Sequence, residues 1–136
     1  MLIHTALKAP DLITVNEVAQ AFDLSSAHLQ KVAQTLAAHG YLQTVRGRSG
    51  GLRLAQPPEL IRLGDVAAIT EPDFQLAPCI SSSGDSCPIY APCVLRTALS
   101  KAAEAFLAEL NKWTLADLIK KRRPLLFALR GVASHG

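Results

Sequence analysis

Aromatic side chains make up only 5% of this chain, with a single Trp and a single Met. Sandwiches and barrels draw on aromatic and β-branched residues, so a composition dominated by Ala and Leu favours helices instead. No apolar run approaches the roughly 18 residues that a membrane-spanning helix needs. Met1 is not followed by a basic stretch and an apolar signal core. The expectation is a soluble, cytoplasmic, mainly α protein. Charge is sparse at 18%, but 49% of the residues are hydrophobic, which excludes disorder across the whole chain. The 136 residues suffice for one ordinary domain, or a small domain with an arm, and not for two independent cores. No repeat recurs at a solenoid period. There is no Cys-x-x-Cys pair, no catalytic-triad order and no glycine-rich phosphate loop. A thiol redox enzyme is therefore the weakest functional class, and the chain is expected not to be an enzyme.

What charge there is lies unevenly. Residues 1–62 carry six basic and four acidic side chains, residues 63–93 four acids and no Lys or Arg, and residues 94–136 eight bases and three acids. An acidic middle between basic flanks divides the chain by task. The reading is a DNA-binding domain over 1–70, a cysteine loop over 71–93, a dimerisation helix region over 94–119 and a basic, apolar tail over 120–136.

In the first segment, Thr14 with Glu17 three residues later is a capping-box signature. Val15, Val18, Ala19 and Phe22 follow at helical spacing and predict a helix over about 15–22. Asp23-Leu24 makes a tight turn. Ser25 or Ser26 then caps a second helix with Leu29, Val32, Ala33, Leu36 and Ala37 on one face, stopped by Gly40. Two helices on so short a turn form a helix-turn-helix whose second member is the candidate recognition helix. Tyr41–Val45 and Gly51–Leu54 alternate like strands around the tip Arg46-Gly47-Arg48-Ser49-Gly50, the outline of a β wing. No acid occurs between Asp23 and Glu59, so Arg46, Arg48 and Arg53 are unopposed. Arginine on a narrow tip suits a minor groove or phosphates. Ser25, Ser26, His28, Gln30, Lys31 and Gln34 lie off the apolar stripe, in reach of base edges or phosphates, and Ser49 joins them from the wing. Each piece alone is common in small helical proteins, but the whole order is much rarer and points to DNA binding.

Cys79, Cys87 and Cys93, the only cysteines, are separated by seven and then five residues in a Pro- and Ser-rich stretch. Three thiols in one such loop suit metal ligation better than a disulfide, which would leave one over. The wide spacing lacks the close pair of a zinc knuckle and favours an iron–sulfur cluster; structural zinc and free redox thiols are the alternatives. Three thiolates leave a fourth position for a weaker ligand; Glu71, Asp73, Asp85 and His4 could substitute there, and none of them is favoured. From Cys93, the residues Val94, Leu95, Ala98, Leu99, Ala102, Phe106 and Leu110 recur at helical spacing up to Trp113. So small a domain cannot bury that stripe alone, and pairing with a second copy is expected.

These features together resemble the NsrR/IscR/RirA group of Rrf-type winged-helix regulators, the NsrR branch most of all. The matching stretches are 14–22, Leu29-Gln-Lys-Val32, 40–55, Leu63-Gly-Asp-Val66, Thr70-Glu71, Cys87-Pro-Ile89, Ala91-Pro-Cys93, the helix around Ala98–Leu107 and Thr114-Leu-Ala-Asp-Leu118, covering about residues 2–119. Members usually begin with further helical turns ahead of the point where Met1 falls, and the first inter-cysteine spacing is slightly longer here. The resemblance implies a homodimeric repressor on a palindromic operator, releasing DNA when a [2Fe-2S] or [4Fe-4S] cluster reacts. In the NsrR branch the signal is nitric oxide; in the others it is cluster supply or iron. It gives Cys79, Cys87 and Cys93 the ligand roles, the 25–39 helix the major groove, and Arg46 and Arg48 the wing contacts.

Overall fold

The computed structural model describes residues 1–71 and 87–132, the last three by backbone alone. The chain starts with a helix, α1 (Leu2–Lys8), in which Leu2, His4, Thr5, Ala6 and Leu7 are all buried. A helix enclosed on almost every side shows no polar face, so its sequence carries no amphipathic rhythm. Thr5 is tolerated there because its hydroxyl donates to the Met1 carbonyl at 3.1 Å.

Ile13, fully buried, then lies beside the wing: its amide donates to Leu52 O at 3.1 Å, and Leu52 N donates back to Ile13 O at 2.7 Å. α2 (Val15–Phe22) begins with the expected capping box. Thr14 Oγ1 accepts from Glu17 N at 3.1 Å while Glu17 Oε2 accepts from Thr14 N at 2.6 Å. Asp23 takes the left-handed conformation that turns the chain. α3 (Ser26–Ala38) is capped by Ser25, whose hydroxyl accepts from His28 N at 3.4 Å. Leu29, Ala33 and Leu36 are its buried stripe. Gly40, at φ +75°, lets Tyr41 N close back on Leu36 O at 2.9 Å, the helix stop that glycine serves best.

β1 (Leu42–Val45) and β2 (Gly51–Leu54) pair antiparallel, with Leu42 opposite Leu54 and Thr44 opposite Leu52. A 3₁₀ turn (Pro58–Leu60) leads to α4 (Leu63–Thr70), and beyond residue 86 come α5 (Val94–Leu110), α6 (Leu115–Leu118) and α7 (Arg122–Val132). The chain is mainly α with a two-stranded wing and a long helix, as the composition and patterning anticipate. One core joins Leu2, Ala6, Ile13, Val18, Leu29, Leu36, Leu42 and Leu52 with the far-off Ile61 and Leu115. Each Leu, Ile or Val among them contributes about 1.5–3 kcal/mol on burial. Leu115 N donates to Ile61 O at 2.9 Å and Leu63 N to Trp113 O at 3.0 Å, so the chain leaving α5 is stitched to the chain entering α4. A second capping box, Thr114 with Asp117, starts α6. Lys120 beside the Asp117 carboxyl, together with hydrogen bonds from the Thr114 amide and hydroxyl, holds its pKa down at about 2.

α4 and α5 cross at Gly64. There the Asn111 side chain accepts from Asp65 N at 3.0 Å and donates to Asp65 Oδ1 at 2.9 Å, and Arg62 donates to Asn111 O at 2.9 Å. Yet none of the seventeen residues of α5 is buried. Val94 and Leu95 are 80% and 64% exposed.

In the segment read as a basic, apolar tail, residues 120–123 are exposed, as a solvated run would be. Over Arg122–Val132 the segment is nonetheless a helix packed on α2, which the tail reading did not foresee. Arg122 donates to Ala6 O at 3.3 Å and Ala9 O at 3.4 Å, placing a cation on the C-terminal carbonyls of α1. Pro124 falls in the first turn of α7, where the missing amide does no harm.

Candidate nucleic-acid interface and thiol loop

Helical geometry divides the polar row of α3. Residues two apart on a helix stand about 200° from each other, so His28 and Gln30 face opposite flanks. Gln30 lines a cleft of about 280 Å³ with Asn16, Thr44 and Gly51, between α2, α3 and the wing. Ser26 shares a neighbouring depression with Asn16 and Gln20. His28 instead lines a groove of about 410 Å³ with Met1, Val32, Leu63 and Glu71. Ser25, Ser26, His28, Gln30 and Lys31 are all exposed. Ser25 is engaged as the cap of α3, and its hydroxyl has that task before any other. Asn16 and Thr44 are additions that the sequence reading passed over; the signal for Asn16 was its place, polar and off the apolar stripe, on the first helix of the pair.

Arg46, Arg48 and Ser49 stand exposed on the wing tip, with Gly47 between the arginines at φ +122°. Among the described residues, neither arginine has an acidic partner. Arg53 differs, donating through Nε to Gln43 Oε1 across the strands at 3.0 Å. The arrangement is a helix rimmed by hydrogen-bonding side chains, next to a loop of unpaired guanidinium groups. That is a donor-rich, positive surface for an anionic groove.

Of the three thiols, Cys79 lies outside the described residues, as do Asp73 and Asp85. Cys87 and Cys93 are free and half-buried. They bracket a turn in which Tyr90 N donates to Cys87 O at 3.1 Å and Cys93 N to Tyr90 O at 3.4 Å. Cys93 is the N-cap of α5, at the helix end that favours negative charge. The Arg96 guanidinium lies 4.3 Å above the Tyr90 ring and donates to its hydroxyl at 3.2 Å. Among the described residues no three His, Cys, Asp or Glu side chains converge on a metal position. His4 and Glu71 line different cavities and are not brought together.

His4 is 4% exposed, both ring nitrogens lack a hydrogen-bond partner among the described residues, and the ring meets Phe22 edge-on at 6.1 Å. Burial, and then the nearby Lys8 charge, lower its pKa from the ordinary 6.5, with Glu17 pulling the other way. The charged imidazolium is thus disfavoured in the fold. As pH falls below about 6.5 the unfolded chain takes up a proton more readily than the folded chain does, and stability drops by up to about 1.4 kcal/mol per pH unit. Urea midpoints at pH 7.5 and 5.5 are expected to show that drop, and His4→Phe to flatten it. An equal drop in the variant would locate the acid sensitivity elsewhere.

Residues 1–121 match the family profile described as "Rrf2: Iron-dependent Transcriptional regulator". The chain belongs to the Rrf2 family. Among its Rrf2 relatives, the HTH-type transcriptional regulator NsrR of Bacillus subtilis is 37% identical over 131 residues, covering 96% of this chain and 90% of that protein. NsrR of Geobacillus kaustophilus is 39% identical over 130 residues, covering 96% and 88%. Among solved structures, T. potens IscR superposes with a TM-score of 0.66 at 22% identity, covering 88% of this chain and 78% of that one. CymR, the global cysteine regulator of B. subtilis, does so with a TM-score of 0.63 at 24% identity, covering 86% and 85%. These two show the shared Rrf2 fold. The chain is a transcriptional regulator of this family, and the relatives named NsrR are regulators rather than enzymes. Among the described residues no helix is long and apolar enough to cross a membrane.

Proposed function

We propose that this Rrf2-family regulator is a homodimeric repressor that senses nitric oxide through an iron–sulfur cluster. The observation that carries the DNA-binding part is the juxtaposition of α3 and the wing: an exposed polar row beside two arginines with no acidic partner among the described residues. Gln30 and Ser26 face base edges from one flank of α3, Lys31 and His28 contact the backbone side, and Arg46, Arg48 and Ser49 hold the adjacent groove or phosphates. Pairing rests on α5, a helix about 26 Å long at 1.5 Å per residue with no side chain of its own buried. A second copy is the self-complementary cover for such a face, and a twofold pair of reading helices about 34 Å apart calls for a palindromic operator.

The donor set fits a cluster. Thiolate sulfur is the ligand type that iron–sulfur centres take, and the two described thiols are free and flank one turn, with Cys93 at the start of α5. Cys79, Cys87 and Cys93 would hold it, and the bound cluster supplies the nitric-oxide-reactive centre. Cys93 also caps α5, so its backbone sets where the pairing helix begins.

Purification without oxygen is expected to yield a brown protein of twice the 14.5 kDa chain mass, containing iron and sulfide. Adding nitric oxide is expected to bleach it and release bound DNA together; bleaching with full DNA retention would reject the sensing mechanism, and a colourless zinc protein the cluster. Cys87→Ser is expected to lose the iron and the visible absorption while its circular dichroism stays that of the parent. An unchanged spectrum would remove Cys87 from the ligand set.

A further inference from the structure

A cavity of about 440 Å³ lies between α1, α2 and α7, away from the residues assigned above to DNA or thiol chemistry. That volume falls within the roughly 300–1,000 Å³ usual for small-molecule sites. His4 borders it, but both ring nitrogens are sealed from solvent, so the polar contacts open to an occupant come from the charged side chains around it.

The surrounding charges are of both signs. Lys8 and Arg122 line the cavity from α1 and α7, and Asp11 and Glu17 from the turn and α2. Arg122 is tethered through its two Nη atoms to Ala6 O and Ala9 O, and Glu17 through Oε2 to Thr14 N. Lys8 and Asp11 form no ion pair among the described residues. The apolar wall is Leu7 with Leu126 and Leu129 of α7. Metal is not the fitting occupant, since no three ligating side chains converge among the described residues. A ligand of one charge sign would meet repulsion from half of the lining, whereas a zwitterion satisfies both halves.

We propose that this cavity binds a free α-amino acid with an apolar side chain, its carboxylate toward Lys8, its ammonium toward Asp11, and its side chain against Leu126 and Leu129. Because α7 forms one wall and α2 another, the bound molecule bridges the C-terminal helix to the first helix of the DNA-reading pair.

The test is calorimetric titration of the full chain with L-leucine and L-phenylalanine at up to about 10 mM, alongside 4-methylpentanoate and 3-methylbutylamine, which each lack one charge. At least one amino acid is expected to bind, with both single-charge analogues at least about tenfold weaker than leucine or without measurable heat. Lys8→Met and Asp11→Asn, both at exposed positions, are each expected to weaken binding about tenfold or more while melting as the parent does without ligand. Silence with both amino acids, equal binding of an analogue, or parental affinity in either variant would overturn the proposal. The assay requires neither DNA nor cluster, so its failure would leave the repressor reading standing, and the reverse.

Discussion

An Arg46→Ala/Arg48→Ala double variant is expected to lose about 2–6 kcal/mol of operator affinity, thirtyfold at the least, on the scale of about 1–3 kcal/mol per groove-reading arginine. Both side chains stand exposed and neither has an acidic partner among the described residues, so their removal takes little from the fold. The parental melting temperature should therefore be kept, which separates a binding defect from unfolding. The measurement is fluorescence anisotropy on a duplex selected from a random pool, repeated across salt. Each lost phosphate contact lowers the slope of log affinity against log salt by about 0.9. A slope smaller by roughly 2 would mean that both arginines neutralise phosphates. A parental slope with reduced affinity would mean that they read the groove. Parental affinity and slope together would take the wing off the DNA.

The second large effect is expected at Gly64. A Cβ there would collide with the Leu107 carbonyl and come within 2.6 Å of the Asn111 side chain. Backbone cannot yield as a flexible side chain does, and Asn111 is already held by Asp65. Gly64→Ala is expected to cost about 3 kcal/mol, the upper part of the overpacking range, and about 10 °C in melting temperature. Because α5 has no buried residue of its own, the crossing at Gly64 is a principal hold on it. Backbone amide exchange should rise in α5 before it rises in α3. A uniform rise would mean that the two helices unfold as one unit.

How much of this was legible depended on whether a residue signals locally. The Thr14–Glu17 box, the Ser25 cap, the Gly40 stop and the wing between Val45 and Gly51 were readable because each is a short-range hydrogen-bond or backbone requirement. The Thr114–Asp117 box obeys the same rule and carries the same signal. α1 was not readable: His4, Thr5, Ala6 and Leu7 are buried in succession, and enclosure erases the periodicity that betrays a surface helix. α7 was masked by Lys120–Arg123 followed by Pro124, which resemble a solvated run and a break. Only the distant carbonyls of Ala6 and Ala9 give Arg122 its reason to be there. At the candidate interface the residue types were legible but their division between flanks was not. It takes the placement of α2 and the wing to put Gln30 in a cleft with Asn16 and Thr44, and His28 in another groove.

The residue between the two wing arginines holds a conformation that L side chains rarely adopt, φ +122° at Gly47. A side chain at that hinge is strained whatever the space around it, whereas Arg46 and Arg48 on either side stand exposed and can be exchanged without disturbing the curvature of the loop.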